Sequence, residues 1–252
     1  MTLLKLAVLA DIHGNVAALD AALKDLKAHK PDRILVLGDL VMNGPRPAEA
    51  LARLRELEAK SGAIVIQGNT DVAVADGDYA AAFPWIEDVP AAQRAAADWA
   101  REQLSDDDLD YLRRLPSERR VHCGDELVLA CHGSPGSQTS GLPVDLDPSV
   151  TVERVTRTDA RVICCGHTHV ADVRELGRKL ILNPGSCGYA FDGEPTANWA
   201  LLSIASDEDE EPTAQLFRPS YDAQTASEEV GARGLPGDVY RAATIRTGRF
   251  IR

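Results

Sequence analysis

Side chains that can bind metal ions follow five predicted strands of this 252-residue chain. In open α/β sheets, ligands bind at the carboxyl ends of the strands, so loops that are far apart in the chain can form one site. Carboxylate, carboxamide and imidazole groups together suit Mn²⁺, iron or Zn²⁺ better than a metal that prefers thiolates. The pattern therefore predicts one site built from several loops. Its candidate ligands are Asp11, His13, Asp39, Asn69, His132, His167 and His169.

Each of these residues also has a structural explanation when it is taken alone. Asp11 could cap the helix that follows it, and a Gly-Asp pair after a strand is common in turns. Asn69 could adopt a left-handed turn conformation, and His132 could be a buried histidine with satisfied hydrogen bonds. The His-x-His pair at positions 167 and 169 is a stronger signal. Five such loops at one end of a sheet favour a functional site over a series of caps and turns.

Alternating strands and helices in the first third of the chain would position these loops. Residues 3–10, 33–37 and 63–67 are short apolar runs typical of buried strands. Apolar residues at helical spacing follow the first run, with Asn15 as a candidate N-cap, and a second helix begins near Pro47. This alternation predicts βαβ units and a largely parallel sheet.

The rest of the chain predicts a helical insertion and further strands. The insertion covers residues from about 78 to 117, and it contains two helices between 90 and 115 with Ser105 as an N-cap. This insertion could overhang the site and select substrates by shape. We interpret residues 1–252 as a single domain, in which C-terminal strands across about 199–252 complete a second sheet. The individual strands are expected at 126–131, 162–165, 179–182, 199–205 and 213–218, and a further helix at 150–158.

Composition and charge exclude several classes of protein. Hydrophobic residues make up 44 % of the chain, which is enough apolar surface for a folded core. No apolar run approaches the ~18 residues of a membrane-spanning helix. The 27 basic and 39 acidic residues give a net charge of −12, which disfavours duplex nucleic acid as the main partner. Five of the acidic residues lie together at 207–211, in a predicted exposed turn.

The cysteines and the N-terminus predict the compartment. The five cysteines are odd in number and form no C-x-x-C pair, so a disulfide framework is not expected. The apolar run at 3–10 is interrupted by Asp11 and His13, unlike a signal peptide. We therefore expect a cytoplasmic protein that does not enter a membrane, and whether it forms a homo-oligomer stays open.

The candidate ligands occur in an ordered set of motifs that resembles a known family. In chain order the motifs are Asp11-Ile12-His13, Gly38-Asp39, Gly68-Asn69, His132-Gly133 and Gly166-His167-Thr168-His169. This set is similar to the signature of the calcineurin-like metallophosphoesterases, and the resemblance extends from residue 6 to about 188. The small prokaryotic phosphodiesterases and phosphatases of that family are also similar at Asn183-Pro184-Gly185-Ser186. The resemblance implies an α/β fold, a four-layer α/β/β/α sandwich with the helical pair inserted.

The resemblance also implies a dinuclear metal centre in which Asp39 bridges two divalent ions. The first ion would be held by Asp11, His13, Asp39 and His169, and the second by Asp39, Asn69, His132 and His167. Mn²⁺ is the expected metal, and iron, Zn²⁺, Ni²⁺ and Mg²⁺ are alternatives. A hydroxide shared by the ions would attack phosphorus in line. Asn69 and His132 would act as catalytic residues close to the phosphoryl oxygens.

One position departs from the family pattern. Many members have histidine directly after the asparagine, where this chain has Thr70. A threonine hydroxyl is too weak an acid to protonate a leaving group near neutral pH. Asp71 could replace that acid or could cap the following turn. The substitution predicts better hydrolysis of diesters or activated esters than of monoesters with poor leaving groups.

Four further residues are candidate substrate contacts. Arg46 could pair with a second phosphate, although a surface position in the first turn of a helix explains it equally well. Asn183, Gly185 and Ser186 lie in a turn near the predicted site and could offer polar groups to the substrate.

The sequence thus predicts a metal-dependent phosphoesterase that hydrolyses phosphodiesters or nucleotide-type esters and takes a small phosphorylated substrate. A non-catalytic scaffold of the same fold, such as the retromer component, is one alternative, and the complete ligand set argues against it. A phosphomonoesterase or a nuclease of the same fold is another. The absence of a basic stripe with aromatic residues disfavours the nuclease.

Overall fold

Strands and helices alternate along the part of the chain described by the computed structural model, which covers residues 3–205 and 210–251. The strands in these residues are β1 (Leu3–Leu9), β2 (Arg33–Val36), β3 (Ile64–Val65), β4 (Glu118–Cys123), β5 (Glu126–Cys131), β6 (Val162–Cys164), β7 (Ala171–Leu176), β8 (Lys179–Pro184), β9 (Trp199–Ala205) and β10 (Thr213–Phe217). The helices are α1 (Val16–His29), α2 (Pro47–Ser61), α3 (Asn69–Asp76), α4 (Tyr79–Ala82), α5 (Ala91–Glu102), α6 (Asp106–Arg114), α7 (Pro148–Val155), α8 (Ala223–Ala232) and α9 (Asp238–Thr247).

The strands form two five-stranded sheets. The first has the order β10-β9-β1-β2-β3, in which β1, β2 and β3 run parallel and β9 lies antiparallel to β1. The second has the order β4-β5-β6-β8-β7, with β5, β6 and β8 parallel and an antiparallel strand at each edge. Each sheet therefore contains three parallel strands, whose carboxyl ends lie at the same end of the sheet.

Strand β1 is buried on both faces because it lies between two hydrophobic layers. Ala7 and Leu9 pack with the helices on one side, and Leu6 and Val8 pack against the second sheet on the other. This alternation follows from the two-residue period of a strand. A third apolar cluster joins α7 to the outer face of the second sheet. The layers are thus helix, sheet, sheet and helix, and the predicted α/β/β/α sandwich is confirmed.

Local capping signals decide where the predicted helices begin. The Asn15 side chain accepts a hydrogen bond from the Ala18 N–H at 3.2 Å and caps α1, as predicted. Ser105 caps α6 in a reciprocal capping box with Asp108. The helix expected at 150–158 begins earlier, at Pro148, because Asp147 accepts the Ser149 N–H and supplies the cap.

The C-terminal region differs from the prediction. The sequence analysis predicted strands across about 199–252 that complete a second sheet. The C-terminal strands instead end at Phe217, and β9 and β10 join the first sheet. Helices α8 and α9 follow, and α8 places Ala226 and Val230 in the core beneath α1. A four-residue spacing of apolar side chains after an Asp222 cap is helical, which explains the change. Of the predicted acidic turn, 207–209 lie outside the described residues, and Glu210 and Glu211 are exposed.

Other short elements, helix α3 among them, also escaped the sequence analysis. Strands β4 and β7 lie at the edges of the second sheet, where charged residues interrupt the apolar pattern. Helix α4 precedes the two predicted helices of the insertion. No helix within 3–205 or 210–251 is long and apolar enough to cross a membrane.

Candidate metal centre

The carboxyl ends of the parallel strands bring the predicted ligands together. Ligand atoms of four residues lie within 4.8 Å of one another, and all four residues are buried. They follow β1, β2 and β6, which belong to both sheets, so the site lies where the edges of the two sheets meet. These residues are Asp11, His13, Asp39 and His169.

The two histidines of this cluster direct unprotonated nitrogens at each other. The Nδ1 atom of His13 is 2.8 Å from the Met42 carbonyl oxygen, and the Nδ1 atom of His169 is 2.5 Å from the Tyr189 carbonyl oxygen. A carbonyl oxygen can only accept, so both Nδ1 atoms carry the proton and both Nε2 atoms keep a lone pair. Burial lowers the pKa of both rings, which keeps them neutral. The two Nε2 atoms lie 3.2 Å apart, a contact that a cation between them would relieve.

The carboxylates complete this donor set. Asp39 Oδ2 lies 3.6 Å from His13 Nε2, and Asp11 Oδ1 lies 3.5 Å from His169 Nε2. Burial holds the pKa of Asp11 well above its usual range. His132 opposes this increase in part, and the charge of Asp39 adds to it. Two oxygen and two nitrogen donors directed into one buried space fit a divalent ion of the Mn²⁺, iron or Zn²⁺ type.

A second group of predicted ligands meets on the other side of Asp39. His132 Nε2 lies 3.0 Å from Asn69 Oδ1 and 3.4 Å from Asp39 Oδ1, and His167 Nδ1 lies 3.1 Å from Asn69 Oδ1. Asn69 donates through Nδ2 to the Ala82 carbonyl, which turns its Oδ1 toward the histidines. Oδ2 of Asp39 thus faces the group that contains His13, and Oδ1 faces the group that contains His132.

His132 is the one histidine among the candidate ligands whose pKa is raised. Its Nδ1 atom is 2.7 Å from the Leu37 carbonyl oxygen, so the Nε2 atom is the one that can bind either a proton or a metal. Burial alone would lower its pKa, but the Asp39 carboxylate outweighs burial and raises the pKa of His132 to about 10. In the metal-free protein a proton on His132 therefore compensates part of the negative charge.

The backbone at the site is strained. Positive φ angles are uncommon for residues other than glycine, and here they occur at five candidate ligands. Such conformations persist only where the surrounding structure holds them, and they cluster at functional sites. The values are 55° at Asp11, 50° at His13, 54° at Asp39, 67° at His167 and 60° at His169.

Asp71 holds the loop that carries Asp39. Its carboxylate accepts N–H groups from Asp39 at 2.9 Å, Leu40 at 2.8 Å and Gly68 at 2.9 Å. The first two bonds position the Asp39 loop, and the third caps α3. Burial, and then the Asp39 charge, raise the pKa of Asp71 to about 7. Of the two roles considered for Asp71, its contacts are those of a cap and not those of an acid facing a substrate.

The predicted substrate contacts face other parts of the protein. The Arg46 guanidinium bonds to Glu229 of α8 and to Glu49, outside the cavity that contains the ligands. Asn183 donates to the Gly166 carbonyl and to the Thr168 hydroxyl, and its Oδ1 accepts the Gly185 N–H. These contacts of Asn183 support the loop that carries His167 and His169.

Ser186 supports the other side of the first ligand group. Its hydroxyl donates to the Asp11 carbonyl at 2.8 Å and accepts the Tyr189 N–H at 2.7 Å. Tyr189 in turn offers its carbonyl to His169. Ser186 therefore connects the two loops and positions their ligands.

A cavity of about 670 Å³ opens above the ligands, and the sequence did not reveal most of its wall. Phe83, Trp85 and Ile86 come from the insertion, which overhangs the site as expected. Tyr240 and Arg241 come from α9. Nothing in the spacing of residues in α9 indicates a site, because only the fold brings this helix to the strand ends. His132 is fully buried and does not line the cavity, whereas Asn69 does.

The two sheets with flanking helices match the metallophosphoesterase fold, and the buried Asp/His cluster is a possible metal-binding site. Residues 4–207 match the calcineurin-like phosphoesterase superfamily domain, and the chain belongs to this superfamily.

Three proteins are similar to this chain over most of its length. A metallophosphoesterase from Sphaerobacter thermophilus is 26 % identical, with a TM-score of 0.75 over 98 % of this chain and 100 % of that one. A hypothetical protein from Pyrococcus horikoshii OT3 is 22 % identical, with a TM-score of 0.82 and the same coverage. An uncharacterized protein of Methanocaldococcus jannaschii is 25 % identical over 246 residues, which are 92 % of this chain and 93 % of that protein.

Replacing Gly68 by alanine tests how closely the Asp39 loop must pack. The added Cβ would lie 2.2 Å from Asp39 Oδ1 and 2.4 Å from the Asp39 nitrogen, so Asp39 must move. We expect a destabilisation of about 1–3 kcal/mol and a loss of metal affinity of about tenfold or more, measured by thermal unfolding and metal titration. The control Gly231→Ala lies in α8, where the new Cβ meets only Asp238 Oδ2 at 3.6 Å. If both variants bound metal with equal affinity, the inference that Gly68 must leave room for Asp39 would be wrong.

Metal binding at neutral pH should release protons. Ligation needs a neutral His132, and its pKa of about 10 means that the ring must first lose a proton. We expect release of about one proton or more per chain at pH 7, and a metal affinity that increases as the pH rises toward 10. Calorimetric titration in two buffers with different ionisation enthalpies measures this number. A His132→Ala variant should release fewer protons, and an unchanged number would contradict this role of His132.

Proposed function

We propose that this protein is a phosphoesterase that uses two divalent ions bridged by Asp39 to hydrolyse phosphodiesters. The observation that carries the proposal is the position of Asp39, which directs Oδ2 at the group containing His13 and Oδ1 at the group containing His132. Two ligand groups that share one carboxylate suit a two-ion centre, which clamps the attacking and leaving oxygens of an in-line displacement.

Each ion position has a complete set of ligands from this chain. The first would use Asp11, His13, Asp39 and His169, and the second Asp39, Asn69, His132 and His167. When bound, the ions supply Lewis-acid activation of water and of the phosphoryl group. Oxygen and imidazole donors without thiolate are consistent with Mn²⁺, which we propose as the metal.

The protein side chains orient the reaction around these ions. Carbonyl contacts at Met42, Tyr189 and Leu37 fix the rings of His13, His169 and His132, so little reorganisation is needed during the reaction. Of the two proposed catalytic residues, Asn69 lines the cavity and can reach a phosphoryl oxygen. His132 is buried behind the cavity wall and acts as a ligand.

Two features favour diesters as substrates. Thr70 occupies the wall where an acid would protonate a leaving group, and its buried hydroxyl has no hydrogen-bond partner in the part of the chain that the structure describes. A second cleft, lined by Ser140 and Arg154 among others, shares His167 and Trp85 with the main cavity. The two clefts meet at His167, so each can accommodate one arm of a phosphodiester.

Removal of the shared ligand tests the metal-dependent activity. Asp39→Asn should lower kcat/KM for an aryl phosphodiester by more than about 100-fold, because even residues that only support a ligand contribute 10–100-fold. Metal content should fall in parallel. The control Asp125→Asn changes an exposed carboxylate in the turn before β5, at the end of that strand opposite to His132, and should retain both activity and metal. Wild-type protein that binds metal but hydrolyses no ester would favour the scaffold alternative.

Leaving-group dependence tests the role of Thr70. The metal-loaded protein should hydrolyse bis(4-nitrophenyl) phosphate far better than glycerol phosphate, because Thr70 cannot protonate a poor leaving group. Thr70→His should raise hydrolysis of the monoester by about tenfold or more. Thr70→Val removes only the hydroxyl and should keep the original preference. Comparable turnover of both esters by the wild type would contradict the proposal and favour a phosphomonoesterase.

A further inference from the structure

Arg241 is a buried arginine in the wall of the metal-site cavity. It lies in α9 and is 1 % exposed, and its side chain lines the cavity that contains the ligands. The family match ends at residue 207, so Arg241 comes from a segment that follows the matched domain. Only the packing of α9 brings it to the strand ends.

Within residues 3–205 and 210–251, the guanidinium of Arg241 bonds only to neutral groups. Its Nε donates to Asn43 Oδ1 at 3.1 Å, and its Nη2 donates to Gln93 Oε1 at 3.1 Å. Its Nη1 donates to the Pro236 carbonyl and to the Tyr240 hydroxyl, both at 2.7 Å. These bonds use four of the five N–H groups of an arginine and leave one on Nη2.

The positive charge of Arg241 has no counter-ion among residues 3–205 and 210–251, where no carboxylate lies within ion-pair distance of it. By comparison, Arg46 pairs with Glu229 and Arg53 pairs with Asp20. A buried charge is costly unless it is paired, so an unpaired arginine at a cavity wall indicates that its partner is a ligand.

Contacts connect Arg241 to the metal site. Asn43, which accepts from Arg241, has its Nδ2 atom 3.4 Å from His13 Nδ1. The unpartnered hydroxyl of Thr70 lines the same cavity. Two polar groups with unused hydrogen-bonding capacity therefore face the space next to the ligands.

We propose that Arg241 is a substrate-binding residue that donates to an anionic oxygen of the phosphoryl group. A guanidinium matches phosphate oxygens in geometry and stays charged at any working pH. The neutral bonds to Asn43 and Gln93 hold it in position without compensating its charge. This inference rests on the proposed function, since it takes the substrate to be a phosphate ester.

Gly237 supports the placement of Arg241. It precedes α9 with a φ angle of 73°, and a Cβ at this position would lie 2.1 Å from Arg241 Nη1. Glycine therefore both adopts the left-handed conformation and leaves room for the guanidinium. The turn before α9 is built around this arginine.

Inorganic phosphate is the probe for this proposal. In the Mn²⁺-loaded protein, Arg241→Gln should weaken phosphate binding by about 10–100-fold, the range for a charge-assisted hydrogen bond. Arg241→Lys keeps the charge but not the planar fork and should recover part of the affinity. The control Arg53→Gln makes the same charge change at an exposed ion pair and should leave the affinity unchanged. Calorimetry gives the affinities, and metal analysis verifies equal loading.

A purely structural role of Arg241 predicts a different result. Variants would then unfold at a lower temperature but would gain the same stabilisation from added phosphate as the wild type, which would overturn the proposal. If Arg241→Gln does not fold, the wild type provides the test. One arginine Nε resonance of the Zn²⁺-loaded protein should shift with the phosphate binding curve and be absent in Arg241→Lys. No phosphate-dependent Nε shift would also overturn the proposal.

The kinetic results separate this proposal from the proposed function. An active wild type whose KM for the diester is unchanged by Arg241→Gln would overturn the role of Arg241 alone. A wild type that hydrolyses no ester but loses phosphate affinity on Arg241→Gln would overturn the hydrolytic function and support the anion site.

Discussion

The repulsion among buried lone pairs and carboxylates around Asp39 is the constraint on which the rest of the structure depends. Two bare imidazole nitrogens lie 3.2 Å apart between carboxylates, an arrangement that is unfavourable without positive charge. Backbone groups hold it in place, since carbonyls fix the histidine rings and Asp71 fixes the Asp39 loop through three N–H groups. The strained φ angles of the ligands have the same origin, because the loops are held where the site needs them.

The candidate metal ligands and the wall of the cavity come from different parts of the fold. The candidate ligands come from loops that directly follow β1, β2, β5 and β6, or from the start of α3. The cavity wall comes from the insertion and from the C-terminal helices, which lie around that centre. Chemistry common to a superfamily can therefore be retained while the wall changes the choice of substrate.

Local patterns predicted much of the fold and most of the metal centre. Apolar runs located β1 and β5, and the Asn15 and Ser105 caps marked two helix starts, because these signals depend on neighbouring residues only. Edge strands β4 and β7 were missed because solvent contact permits charges that disrupt the pattern. The sequence did not reveal which sheet the C-terminal strands join. Strand β9 pairs with β1, and this pairing depends on contacts between residues that are far apart in the chain.

The sequence by itself determined which side chains could bind metal, since a strand followed by a ligand is a local signal that recurs five times. The tertiary structure decided which polar residues face the cavity. Arg46 bonds to Glu229 instead of facing the cavity, and Asn183 and Ser186 support the ligand loops. Arg241, from the last helix, lies in the cavity wall. The physical reason is that the packing of the whole chain decides which side chains become neighbours. Asn43 and Arg241, for example, come into contact only after both sheets and both C-terminal helices have assembled.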